Sequence, residues 1–142
     1  MDFLEGYRYD PSEVHIEQIG NDLEIYVEGL WYRTILWEVP LLSLISELHY
    51  EMNHLERDSN EVIINRTLDK ADHLNKLNVN YAEFGTRRRH SYKVQDIVVE
   101  SLNKKDNTNF IGSSNVHFAM KYNIKPIGTH AHEWFMFHGA EF

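Results

Sequence analysis

The sequence predicts an α/β protein that begins with antiparallel strands and continues with helices and strand–helix units. Three observations predict this class. Apolar and polar residues alternate between residues 15 and 39, and apolar residues recur at helical spacing from residue 41 to residue 77. After residue 80, short apolar runs each end in a polar segment that contains glycine. With 142 residues, the chain has the length of about one ordinary domain.

Composition limits the classes of function that fit. The formal net charge is -8, whereas binders of nucleic acid or anionic membranes normally carry a basic face. Cysteine is absent, which excludes a disulfide framework. The first residues have neither the basic start nor the apolar stretch of a signal peptide, and no apolar run is long enough to span a bilayer. We therefore expect a soluble, cytoplasmic protein with no nucleic-acid or membrane partner.

The first element is predicted from a period of two. Alternation continues through residues 23–28 and again through 35–39, and turn residues stand at 20–22 and 28–29. This pattern predicts a three-stranded antiparallel meander.

Two helices follow in the predicted order. From Pro40 onward, apolar residues fall on one helical stripe, which predicts a helix of about four turns. Residues 58–60 interrupt it, and a second stripe between Ile64 and Leu77 predicts another helix.

Three strand–loop units complete the pattern. The runs at 81–85, 110–111 and 125–127 each lead into a polar segment with glycine, and Ser91 is suited to cap a helix after the first. Parallel α/β folds place their ligand sites at the carboxyl ends of strands. The spacing therefore predicts one shared site for the three segments.

The segment after the first of these strands is strongly basic. Arg87, Arg88, Arg89 and Lys93 fall within seven residues of an otherwise acidic chain. Guanidinium groups bind phosphate or carboxylate bidentately, although a basic run is as often a solvated face. Side chains of successive residues on an extended segment point to opposite sides. We therefore expect that in one pair, either Arg87 and Arg88 or Arg87 and Arg89, one arginine binds ligand and the other has a structural role.

The other two segments allow more than one interpretation. In 112–115, Gly-Ser-Ser-Asn can present backbone N–H groups to an anion, but Ser114 or Asn115 can equally serve as a simple helix cap. In 128–133, His130 and His132 are compatible with zinc ligation, with packing in a core, or with phosphoryl transfer to an imidazole. Residue types alone leave these alternatives open.

Four segments together resemble one family. They are LWEVPLL at 36–42, EFGTRRRHS at 83–91, GSSNV at 112–116 and PIGTHAHEW at 126–134. In collinear order they resemble the bacterial type of nicotinate phosphoribosyltransferase. The resemblance implies formation of nicotinate mononucleotide and diphosphate from nicotinate and 5-phosphoribosyl 1-diphosphate, with ATP hydrolysis coupled through a phosphohistidine and Mg2+ required. It also allows a homodimer.

The resemblance also implies a fold. This is the type II phosphoribosyltransferase fold, in which a sandwich domain packs on an irregular α/β barrel. Residues 1–40 would be part of the N-terminal α/β sandwich domain. Residues 41–142 would be helices and the first strand–helix units of a truncated barrel domain.

Residue roles follow from the matching motifs. The resemblance places His132 at the phosphorylated histidine and gives Arg87 a catalytic role toward the anionic groups. Substrate contacts would come from Phe84, Arg87, Arg88, Ser114 and Thr129, and no residue is expected to bind a metal.

The family's full length is greater than that of this chain. We therefore expect the chain to be an internal stretch that is inactive by itself. The alternative function is a zinc-binding module that uses the histidines and has no transferase activity.

Overall fold

A computed structural model describes residues 6–104, 107–129 and 132–139. After a 3-10 turn (Pro11–Glu13), the first two strands of the described residues form a β-hairpin. Strands β1 (Val14–Ile19) and β2 (Asp22–Val27) pair antiparallel, with Ile19 opposite Asp22 across a two-residue turn. Gly20 takes a positive φ of 63° in this turn, a conformation that favours glycine. The first two strands of the predicted meander are thus confirmed.

The predicted third strand is wrong. The chain forms a short helix α1 (Trp31–Thr34), then a 3-10 turn (Ile35–Trp37), before the next helix. Arg33 and Trp37 both donate hydrogen bonds to the carboxylate of Glu13, which is 8% exposed. Residues four apart lie about 6 Å apart along a helix but about 13 Å apart along a strand. Only the helical form lets both side chains reach one carboxylate.

Both predicted helices are present. Helix α2 (Glu38–Met52) has Pro40 in its first turn. Backbone N–H groups in the first turn have no acceptor within the helix, so the missing N–H of proline costs no hydrogen bond there. Helix α3 (Asn60–Lys76) begins after Ser59, whose hydroxyl accepts from the backbone N–H of Val62.

The second half of the described chain alternates strands and helices. Strand β3 (Tyr81–Glu83) and helix α4 (Tyr92–Leu102) are followed by strand β4 (Phe110–Ser113) and helix α5 (Val116–Tyr122). The last helix is α6 (His132–Gly139). Strands β3 and β4 pair in parallel, and Ser113 forms a further parallel bridge with Pro126. Ser91 caps α4 through Val94, as predicted.

The core lies among α3, α4 and α5. Each of these helices contributes two buried apolar side chains, which are Ile63, Ala71, Val99, Leu102, Phe118 and Ala119.

A polar cluster joins α4 to α5. Asp96 accepts hydrogen bonds from Lys121 at 2.6 Å and from the Tyr122 hydroxyl at 2.6 Å. Burial by itself raises the pKa of Asp96, but these two donors together hold that pKa below its ordinary value.

None of the helices in the described ranges is both long and apolar enough to cross a bilayer.

Candidate functional site

Three segments leave the parallel sheet at one edge. Glu83 lies opposite Ser113, and Ser113 bridges to Pro126. The backbone N–H of Ser114 donates to the Glu83 carbonyl at 2.8 Å, and that of Ile127 donates to the Ser113 carbonyl at 3.0 Å. The prediction that the three segments come together is confirmed, although the run at 125–127 forms only an isolated bridge at Pro126 and not the predicted third strand. We call the segments after Glu83, Ser113 and Ile127 the strand-end site.

Gly112 permits the close approach of two of these segments. Its φ is 144°, and a Cβ atom at this position would lie 1.9 Å from the Lys125 carbonyl oxygen. No side chain fits there, so glycine allows the backbone at Lys125 to pair directly with β4. The glycine before the two serines is therefore required by the sheet itself.

A buried carboxylate connects the first two strand ends. Glu83 is 8% exposed, and its Oε2 accepts from the Ser113 hydroxyl at 2.6 Å. Its Oε1 accepts from the Gly85 N–H at 2.5 Å and from the Gln95 amide at 3.0 Å. In all three hydrogen bonds the partner is the donor and a carboxylate oxygen is the acceptor. Glu83 thereby fixes the start of the arginine segment against β4 and α4.

The hydrogen-bond network continues to Thr86. The Thr86 hydroxyl oxygen accepts from Gln95 Nε2 at 2.7 Å and from Asn115 Nδ2 at 3.0 Å. Asn115 also caps α5 by accepting from the Phe118 N–H at 3.2 Å. Of the two caps that the sequence allowed, the structure uses Asn115.

The three arginines have different environments. The side chain of Arg89 is 13% exposed and faces the protein, where it donates to Gln95 and pairs with Glu47 at 3.5 Å. Arg87 is 47% exposed and pairs with Glu38 at 2.5 Å, and Arg88 is also exposed. The pair that differs in environment is therefore Arg87 and Arg89. Arg89 has a structural position, and Arg87 lies on the surface together with Arg88.

The other predicted substrate contacts are accessible. The Phe84 side chain is 48% exposed, Ser114 is half-buried and Thr129 is exposed. Phe84 and Ser114 each follow a strand directly, and Thr129 comes two residues after Ile127. Phe84, Arg87, Arg88, Ser114 and Thr129 thus all lie on the segments that leave this sheet edge, which is the placement that their predicted roles require.

His132 is the first residue of α6 and is exposed. The Trp134 ring of the same helix lies 6.3 Å from the Trp31 ring of α1. Arg87 contacts Glu38, seven residues after Trp31. Helix α6 thus approaches one end of the 31–38 stretch through Trp134, and the arginine segment contacts the other end through Arg87. His130 lies outside the described residues, and its role stays a prediction.

A cavity of about 590 Å3 lies elsewhere, between α3 and α4. Its lining includes Tyr50 and His90, whose rings stack at 4.1 Å, but within the described part of the chain it includes none of the predicted substrate contacts. We consider the strand-end site the better candidate because it brings together cationic, hydroxyl and aromatic side chains.

Two family models match the chain. The model of the nicotinate phosphoribosyltransferase (NAPRTase) N-terminal domain matches residues 1–46, and that of the nicotinate phosphoribosyltransferase (NAPRTase) family matches residues 79–141. The chain belongs to the nicotinate phosphoribosyltransferase family. The second match contains the whole strand-end site.

Individual members of the family agree with this assignment. A nicotinate phosphoribosyltransferase of Chromohalobacter salexigens is 61% identical over all of this chain, which corresponds to 36% of that protein. The crystal structure of the Porphyromonas gingivalis enzyme is 40% identical with a TM-score of 0.90, over 98% of this chain and 36% of its own. The crystal structure of the Vibrio cholerae enzyme is 31% identical with a TM-score of 0.83, over 99% of this chain and 36% of its own. The chain thus spans about a third of the length of the relatives it matches, and its predicted mixed α/β fold class is confirmed.

The zinc alternative receives no support. Across residues 6–104, 107–129 and 132–139, no group of three or more His, Cys, Asp or Glu side chains is arranged to hold a metal ion. The family matches point to a transferase instead.

Sequence reasoning gave no role to two residues of the site, Thr86 and Gln95, and considered Asn115 only as a helix cap. Thr86, Gln95 and Asn115 form the network behind the arginine segment, yet Gln95 lies on α4 and looks like an ordinary helical residue. The one available signal was Glu83, an acid at the end of an apolar strand, because a buried carboxylate requires hydrogen-bond donors.

Proposed function

We propose that the protein carrying this chain transfers a phosphoribosyl group to nicotinate, releasing diphosphate and forming nicotinate mononucleotide for NAD synthesis. The pyridine nitrogen would form a bond to the ribose C1 as the bond from C1 to the diphosphate oxygen breaks. The observation that carries the proposal is that the family's substrate motifs lie on three segments that meet at one edge of the parallel sheet.

The charges at this edge suit the reaction. The leaving diphosphate gains negative charge in the transition state, and Arg87 and Arg88 are exposed cations on the segment after β3. Phe84 offers an exposed aromatic face on which a pyridine ring could stack. Ser114 and Thr129 would supply polar contacts to the base.

Energy coupling would involve His132. We propose that the imidazole takes the γ-phosphoryl group of ATP as the bond to ADP breaks and ADP leaves, and that hydrolysis later releases this group as phosphate. The phosphorylated ring would carry about two negative charges. The new charge would favour a productive arrangement of the site electrostatically. The role is proposed from the family resemblance of the segment at 126–134, and it fits the exposure of His132 at the start of α6.

Mg2+ would be bound mainly by substrate. The described residues contain no cluster that could hold the ion with protein ligands alone. Mg2+ is commonly bound through phosphate oxygens and only one or two carboxylates, so the diphosphate is the expected ligand.

The remaining features are proposals as well. Residues 1–40 would belong to a sandwich domain and residues 41–142 to a barrel domain. A cytoplasmic location and a homodimer are further expectations for this family member.

A chimera tests the function. In it, this chain replaces the matching 36% of the Chromohalobacter salexigens relative. We expect ATP-stimulated formation of nicotinate mononucleotide, with nicotinamide used at least about 100-fold less efficiently because it lacks the carboxylate that a cation would hold. An inactive chimera, or equal turnover of the two bases, would contradict the proposal.

A further inference from the structure

We propose that the Thr86 hydroxyl donates a hydrogen bond to an anionic oxygen of the substrate, with Gln95 and Asn115 as the residues that position it. The inference rests on the proposed function and adds a specific contact to it. It starts from the two hydrogen bonds that Thr86 accepts, from Gln95 Nε2 at 2.7 Å and from Asn115 Nδ2 at 3.0 Å.

The orientation of both amides is determined by their other partners. The Oε1 atom of Gln95 accepts from Arg89 at 3.3 Å, and its Nε2 also donates to Glu83 at 3.0 Å. The Oδ1 atom of Asn115 accepts from the Phe118 N–H at 3.2 Å. In each amide the oxygen is therefore engaged elsewhere, and the nitrogen must be the group that faces Thr86.

A hydroxyl group has two lone pairs and one proton. Both lone pairs of Thr86 Oγ1 are used by the two amides. Within residues 6–104, 107–129 and 132–139, no side chain or carbonyl accepts a hydrogen bond from this hydroxyl. Its proton is thus directed to an acceptor from outside the described chain.

The location of Thr86 indicates which acceptor this is. Thr86 is half-buried and begins the 3-10 turn Thr86–Arg88, so the exposed Arg87 and Arg88 are its direct neighbours. An acceptor placed among these cations is most favourable when it is anionic. In the proposed reaction, that acceptor is either the nicotinate carboxylate or a phosphate oxygen of 5-phosphoribosyl 1-diphosphate.

Gln95 also connects Thr86 to the buried carboxylate. Because Glu83 fixes one hydrogen of the Gln95 amide, the other hydrogen stays directed at Thr86. Gln95 is 3% exposed and does not itself reach the surface. We therefore assign it a positioning role that acts through the hydroxyl.

Two variants of Thr86 in the chimera test the contact. Thr86→Val keeps the shape and removes the hydroxyl, both as the donor to substrate and as the acceptor for Gln95 and Asn115. We expect it to lower kcat/KM by about 10- to 100-fold, as for loss of a hydrogen bond to a charged group. Thr86→Ser keeps the donor and should stay within about threefold of wild type. A rise in KM for nicotinate assigns the acceptor to the base carboxylate, and a rise in KM for the phosphoribosyl donor assigns it to phosphate.

The matched control is Thr67→Val. Thr67 is buried in α3 and donates to the Ile63 carbonyl at 2.7 Å, so it undergoes the same chemical change away from the strand-end site. Its kcat/KM should equal that of wild type. If Thr86→Val lowers the melting temperature by more than about 5 °C, Thr86→Ala takes its place in the same comparison.

A double-mutant cycle tests the positioning role. Gln95→Met should lower kcat/KM in the Thr86 background and have a smaller effect in the Thr86→Val background, because the part of its effect that acts through the hydroxyl is already lost there. The remaining effect would come from the contacts of Gln95 with Glu83 and Arg89. Additive effects would overturn the role of Gln95.

Two results separate the possible failures. Wild-type activity in an active chimera with Thr86→Val would overturn the Thr86 contact and leave the proposed function standing. An inactive wild-type chimera would contradict the function and the contact together.

Discussion

Replacing Gly112 with alanine tests the packing that brings the strand ends together. The added Cβ would lie 1.9 Å from the Lys125 carbonyl oxygen and 3.0 Å from a side-chain atom of Ile127. Ordinary van der Waals contact begins at 3.4 Å, so β4 and the segment beside it would have to separate by about 1.5 Å. The first contact is with backbone, which cannot rotate away as a side chain can.

The cost has two parts. The separation would break the hydrogen bonds from Ser113 N–H to Lys125 and from Ile127 N–H to Ser113, now 3.2 and 3.0 Å long. Each contributes about 1 kcal/mol net, and alanine at a φ of 144° adds about 1–3 kcal/mol of backbone strain. We expect Gly112→Ala to lower the free energy of unfolding by about 3–5 kcal/mol, a large share of the total of about 5–15 kcal/mol for a typical domain.

Two other glycines provide matched controls. Gly20 has a positive φ of 63° but open space around it, so Gly20→Ala should cost only about 1–2 kcal/mol. Gly128 has neither a positive φ nor a neighbour within 4 Å, and Gly128→Ala should change stability by less than about 0.5 kcal/mol. Urea unfolding of the 142-residue chain followed by circular dichroism measures all three. A Gly112→Ala protein as stable as Gly128→Ala would refute the close approach.

Three further predictions concern charge. Arg87→Ala in the chimera should lower kcat/KM by at least about 100-fold through loss of a transition-state cation. The control is Arg66→Ala, which removes an arginine of α3 that pairs with Asp58 and should leave kcat/KM unchanged. An Arg87 effect below about tenfold would place this residue outside the site. Because the pKa of Asp96 is lowered in the folded state, its contribution to stability is present at neutral pH and is lost as the pH falls through that pKa. Asp96→Asn should therefore lower the free energy of unfolding in urea at pH 7 by at most about 1 kcal/mol. The variant should also lose less stability on acidification than wild type, and an equal loss would contradict the role of Asp96. With labelled ATP, acid-labile phosphate should appear on the wild-type chimera and on His130→Ala but not on His132→Ala. The His132→Ala protein should keep a slow reaction that does not depend on ATP. Labelling of the His132→Ala protein would overturn the assignment.

Local signals in the sequence predicted much of the second half of the fold. Ser91 has the side chain that a helix N-terminus needs, and the structure uses it as a cap. The glycines at 85, 112 and 128 marked the three polar segments, and these segments do meet, although Gly112 lies within β4 and the run before Gly128 forms only a bridge. These features depend on neighbours within a few residues, which is why they can be predicted without the fold.

Contacts between distant residues could not be predicted in this way. The alternating pattern at 35–39 suggested a strand, but Glu13 draws Arg33 and Trp37 to one side of a helical stretch. Arg89 is identical to Arg87 in type, yet it is structural because Glu47 and Gln95 lie next to it. Neither partner is adjacent in sequence, so tertiary packing decided both outcomes.

A crystal structure of the chimera with nicotinate mononucleotide bound would test the central claim most directly. That claim is that the segments after Glu83, Ser113 and Ile127 form the nucleotide site. We predict that the pyridine ring lies within about 4 Å of the Phe84 side chain and that anionic oxygens of the nucleotide contact Arg87 and the Thr86 hydroxyl. A nucleotide bound in the cavity between α3 and α4, beside Tyr50 and His90, would contradict the claim.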